Sequence, residues 1–157
     1  STGVVGAAVA GLIVDMRPKL ALLLMAVPLV AFLANPLGRE VALPALYDQV
    51  IALFLLYPSY LAWKKAKTNE KYLPLAMFLV AFVGTEADNL TGNAIFLDLH
   101  LYSTLWGIPA SSLYSLFLAG AFFYPFGRVL VALANAVIGT PALLGLKRSK
   151  LLNYPLT

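Results

Sequence analysis

Uninterrupted apolar runs constrain this chain more than any other feature it has. Leu20 to Ala34 and Ile51 to Leu56 contain no charged or strongly polar side chain. A bilayer core offers no water to backbone amides, so a spanning segment must be a helix or part of a closed barrel. Barrel strands alternate polar and apolar residues, which these runs do not, and the barrel is therefore rejected. Composition agrees on the solvent: 61% of residues are hydrophobic, 11% are charged and the mean hydropathy is +0.85. A soluble domain of this size has a quite different balance.

With 157 residues and roughly 20 needed per spanning helix, about five or six crossings fit and no soluble domain does. The expected fold class is all-α: a polytopic transmembrane helical bundle of about six helices, forming one integral-membrane domain over 1–157 and multi-pass in the cell membrane. The candidate segments are Gly3 to Val14, Leu20 to Ala34, Tyr47 to Trp63, Tyr72 to about Leu97, Ala110 to Tyr124 and Arg128 to Leu146. Pro18, Asn35-Pro36 with Gly38, a lysine cluster, Gly107-Ile108-Pro109 and Tyr124-Pro125-Phe126-Gly127 punctuate them. The first run is short and starts almost at residue 1, so the natural chain is expected to carry residues before it. No basic flank precedes that run, and no cleavable signal peptide is expected.

The formal charge of +4 is concentrated in two clusters, Lys64, Lys65, Lys67 and Lys71, then Lys147, Arg148 and Lys150. Such clusters mark cytoplasmic helix ends. Three segments separate them in the assignment above, which would place them on opposite sides. Either the region from Tyr72 to Tyr102 crosses twice, or one segment is re-entrant, or one cluster faces outward; the sequence leaves these open. Anionic headgroups of the lipid bilayer, or an acidic partner surface, suit the clusters better than nucleic acid, because no stacking aromatics are interleaved with them. Without cysteine, disulfides and thiolate sites are excluded. One histidine and no HExxH spacing argue against a metal. Nucleotide loops and nucleophile elbows are also missing, so neither a self-contained ATPase nor a hydrolase is expected, and no cofactor.

Against this background, Gly84-Thr85-Glu86-Ala87-Asp88-Asn89-Leu90-Thr91-Gly92-Asn93 stands out. A carboxylate near the bilayer centre costs about 3 kcal/mol on insertion scales, so Glu86 and Asp88 must face protein or water. If one helix continues to His100, then Glu86, Asn89, Asn93 and His100 fall within about 60° of one another, and Asp88 points the other way. Carboxylates beside carboxamides could bind a small polar solute with amine, amide or ring N–H groups. The plainer alternative is interhelical hydrogen bonding, with Glu86 paired to Arg128 or protonated. Asp98 and His100 lie nearer a chain break and read as interfacial.

Two further features bear on assembly. Gly3, Ala7 and Gly11 recur at four-residue spacing, with Gly6 and Ala10 in a second row, and small residues so spaced admit a neighbouring backbone, internal or from another subunit. Trp106, Tyr114, Phe117, Phe122, Phe123, Tyr124 and Phe126 form an aromatic group suited to an interfacial belt or to one wall of a ligand site. Arg128, at a helix start where the dipole disfavours a cation, calls for an anionic or carbonyl partner. Asn135 is a further candidate for binding or for helix association.

Taken together, the small-xxx-small first helix, the Glu86 to Asn93 segment and the final helix from Tyr124-Pro125-Phe126-Gly127-Arg128 to the basic tail resemble the substrate-binding S components of energy-coupling factor transporters. The resemblance implies a six-helix protein that performs no chemistry. It would capture a vitamin or precursor from outside and topple against a transmembrane coupling protein driven by cytoplasmic ATPase subunits. It further implies partner contacts at Gly3, Ala7 and Gly11, and a solute site at Glu86, Asp88, Asn89 and Asn93, to which Arg128 and Asn135 are added here. Competing readings are an intramembrane enzyme, with Glu86 and Asp88 as acid and base and Arg128 on a lipid phosphate, and a structural subunit of a larger complex.

Overall fold

A computed structural model describes residues 3–149, and among these the chain is all-α. The helices are α1 (Gly3–Val14), α2 (Pro18–Ala34), α3 (Pro36–Glu40), α4 (Ala42–Thr68), α5 (Leu73–Asp98), α6 (Leu101–Thr104), α7 (Leu113–Ala134) and α8 (Thr140–Arg148). Three stretches are long and apolar enough to cross a bilayer: Ala42–Thr68, Glu70–Asp98 and Ala110–Arg148. The shorter apolar helices α1 and α2 pack beside them. The chain is a helical membrane protein.

One expectation from punctuation fails. The runs from Ala110 and from Arg128 are not separate helices, because α7 passes through Pro125 and reaches α8 by a π-helical turn, Asn135–Gly139. Proline deletes the N–H that would bond the carbonyl four residues back, here Ala121. The Tyr47 hydroxyl of α4 donates to that carbonyl instead. A neighbouring helix thus satisfies the freed group, the usual reason proline survives within membrane helices.

Joining those runs removes the charge conflict. Only two long helices now separate the basic clusters, and Lys147 Nζ lies 2.9 Å from Glu70 Oε1, so the clusters share one end of the bundle. Arg17 and Lys19, at the start of α2, lie at that end too, since the far end of α2 meets the far end of α5 through Asn35 Nδ2 donating to Asp98 Oδ1 at 2.9 Å. Lys150 lies outside the described residues.

Helix α5 is the hub. It packs on α1, α2, α4 and α7. Gly6 of α1 faces it so closely that a Cβ there would sit 2.6 Å from the Gly84 carbonyl oxygen and 3.1 Å from Asp88 Cβ. Two apolar clusters fill the interior. Val9, Ile13, Met25, Leu56, Trp63, Leu73 and Val83 occupy the half toward the basic end, while Phe32, Leu46, Leu90, Leu97 and Leu113 occupy the other half. The polar site lies between them.

Candidate functional site

Arg128 is the centre of the site. Its Nη1 donates to Asp48 Oδ2 at 2.9 Å and to Glu86 Oε2 at 3.0 Å, tying α7 to both α4 and α5. Glu86 is 0% exposed, Asp48 5% and the Arg128 side chain 16%. Two carboxylates against one guanidinium meet the condition for burying charge in lipid, that each ion find a partner. The guanidinium also stacks on the Tyr124 ring, 5.6 Å from its centroid, a favourable position for a cation over an aromatic face. Gly120 makes this possible, because a Cβ there would meet Tyr124 Cε2 at 2.6 Å. Gly120, Tyr124 and Arg128 are spaced by four residues, so ring and guanidinium stack along one face of α7.

Beside this triad opens a cleft of about 820 Å³, within the usual range for small-molecule sites. Its polar lining is Asp48, Gln49, Asn89, Asn93 and Arg128, and its apolar walls include Phe96, Trp106, Ile108, Phe117 and Tyr124. Phe96 anchors the wall, with ring centroids 5.5 Å from Trp106 and 6.2 Å from Phe117. Trp106 and Ile108 belong to the α6–α7 connection, so the cleft lies toward the end away from the lysines. Gln49 is 0% exposed, and neither its Oε1 nor its Nε2 has a hydrogen-bond partner among the described residues. Buried carboxamides are seldom left so.

A second cavity of about 560 Å³ lies between α1, α5 and α7, lined by Gly3, Gly6, Ala7, Asp88, Asn89, Arg128 and Asn135 among others. The sequence candidates therefore divide. Asn89, Asn93 and Arg128 line the larger cleft, Asp88 and Asn135 only the smaller one, and Glu86 stands behind Arg128 lining neither. Asn135 Nδ2 donates to the Val131 carbonyl of its own helix at 3.0 Å. Gly3, Ala7 and Gly11 are exposed, Gly3 and Ala7 along the smaller cavity, whereas Gly6 and Ala10 pack against Gly84 of α5.

His100 leaves the expected polar stripe. Helix α5 stops at Asp98, and His100 adopts φ of 51°, pointing its Nδ1 at the Tyr102 hydroxyl 3.1 Å away. Asp48 and Gln49 were missed from sequence. An adjacent acid and amide within an otherwise apolar stretch were the available signal. No protein-family model, curated protein or solved structure matches this chain.

Proposed function

We propose that this protein is a membrane-embedded binding subunit for uptake of a small polar solute, acting with an ATP-driven coupling module, as the resemblance to energy-coupling factor S components implies. The observation that carries this reading is the aromatic-walled cleft whose polar lining contains a buried Gln49 carboxamide without a hydrogen-bond partner among the described residues. Pockets of this build, apolar with a few convergent polar groups, are the form that small-molecule sites take. The basic end is cytoplasmic by the positive-inside rule, so the cleft faces outward, where a solute for uptake would arrive.

Asn89, Asn93 and Gln49 contact the solute, while Glu86 and Asp48 hold Arg128 in place. Gly3, Ala7 and Gly11 present an exposed small-residue row on α1, with open space over Gly11, and this row receives the transmembrane coupling protein; the ATPase subunits act through it. The competing enzyme reading needs Arg128 for a lipid phosphate, yet its guanidinium already neutralises part of two carboxylates.

Mass spectrometry of small molecules released from gently purified protein tests the proposal. A stoichiometric solute, lost in the Asn93→Ala variant, is expected. Lipid turnover abolished by Glu86→Gln would instead establish an enzyme, and neither solute nor turnover would leave a structural subunit.

A further inference from the structure

Building on solute capture at the larger cleft, we infer that the captured solute is an uncharged, planar nitrogen heterocycle with an amide-like edge, recognised by Gln49. The Gln49 carboxamide sets a donor and an acceptor side by side, both buried and both without a partner among the described residues. Its complement is another planar donor–acceptor edge: a lactam, a carboxamide or an amino group beside a ring nitrogen. A site built to make such bonds rejects analogues that lack them, because its own groups are then left buried and unpaired.

Charge narrows the class further. Arg128 is shared between Asp48 and Glu86, so no vacant cation awaits a carboxylate or phosphate. An anionic solute finds no free counter-ion. A cationic solute would have to displace or lie against the Arg128 guanidinium to reach Asp48, whose Oδ2 accepts from Arg128 and Oδ1 from the Gln49 backbone N–H at 3.0 Å. Glu86 Oε1, which has no hydrogen-bond partner among the described residues, belongs to a side chain outside the cleft lining. Neutral solutes remain. Flatness follows from the Phe96, Trp106 and Phe117 rings, which offer a stacking wall and few partners for the hydroxyls of a sugar.

The test uses purified wild-type, Gln49→Leu and Gln49→Glu proteins, each checked for helicity and dispersity. Nicotinamide and hypoxanthine serve as neutral probes, nicotinate as the anion of matching shape and benzamidine as the cation, alongside a polar metabolite extract analysed for retained compounds. Wild type should be thermally stabilised by the neutral probes, not by nicotinate, and should retain neutral heterocycles from the extract. Gln49→Leu should weaken that binding about tenfold to a hundredfold, the effect of losing two hydrogen bonds. Gln49→Glu, which keeps the shape but loses the donor, should shift preference toward benzamidine, a change that simple damage to the fold would not produce. Stoichiometric retention of an anionic or aliphatic compound, or binding indifferent to Gln49, would overturn this inference and leave solute capture standing. Nothing retained and no probe bound would overturn both.

Discussion

Helices α5 and α7–α8 are both long enough to span a bilayer, yet they are held in opposite ways. Half of the most apolar stretch of α5 is buried, against 11% for Ala110–Arg148. Helix α5 is fixed by close packing, with Gly84 against Gly6 on one side and Val80, Val83, Ala87 and Leu90 in the interior. Helix α7 turns Phe122, Phe123, Tyr124 and Phe126 largely outward. Beyond Leu113 and Phe117 near its start, its specific attachments are polar: Arg128 to Asp48 and Glu86, and the Ala121 carbonyl to Tyr47. In lipid, apolar side chains gain little from leaving their solvent, so an outer helix depends on shape and on a few polar contacts for its position. The cleft sits where the least buried of the three long stretches meets the others, and the one cation of α7, Arg128, lines it.

Arg128 carries most of what holds α7. Arg128→Leu would leave two buried carboxylates facing one another without compensation, and should cost about 3 to 5 kcal/mol. Thermal unfolding in detergent should show the loss, with hydrogen exchange rising in α7 before α5. The triple variant Asp48→Asn, Glu86→Gln, Arg128→Met removes the charges together and should recover most of that stability, since a missing pair is far cheaper than a widowed ion. Equal damage from the single and triple variants would show that α7 is held by packing after all.

Next in size is the α1–α5 contact. A Gly6→Leu side chain would run into the Gly84 backbone, which cannot step aside, and should cost about 1 to 3 kcal/mol. A Cβ at Gly11 meets nothing within 4 Å, so Gly11→Leu should leave unfolding unchanged. If the exposed row receives the coupling protein, Gly11→Leu should abolish complex formation while the isolated chain still binds solute. A smaller effect belongs to Tyr47→Phe, which strips the Ala121 carbonyl of its donor and should cost about 1 kcal/mol, loosening α7 near Pro125.

The same contrast governs what could be read from the sequence. Membrane residence and the all-α class were legible because backbone satisfaction in lipid allows so few structures. Glu86, Asn89 and Asn93 were legible because ionisable and amide groups deep in an apolar run need a reason to be there. The continuity of α7 was not: Pro125 and Gly127 have the composition of a break, and only Tyr47, remote in sequence, shows that the freed carbonyl is provided for. Asp48 escaped notice for a related reason, as its role depends on Arg128, 80 positions later. Local composition names the groups that need partners, while the partners themselves depend on which helices become neighbours.

The smallest expected effect concerns the Glu70–Lys147 pair, where the bundle's two attachment styles meet at the basic end. Glu70 is half exposed, its partner a third exposed, and such surface pairs add little to stability. Glu70→Gln should therefore leave unfolding unchanged, because α8 reaches that end through the unbroken course of α7 and the π turn, where Met77 of α5 packs over Gly139. Topology gives the sharper measurement. The chain has no cysteine, so single replacements Glu70→Cys, Lys147→Cys and Thr104→Cys can each be probed with an impermeant maleimide on intact cells without background. Only Thr104→Cys should label from outside, with the other two reacting together once the membrane is opened. Labelling of Glu70→Cys and Lys147→Cys from opposite faces would restore a break within α7 at Pro125–Gly127, and with it the separation of the two basic clusters.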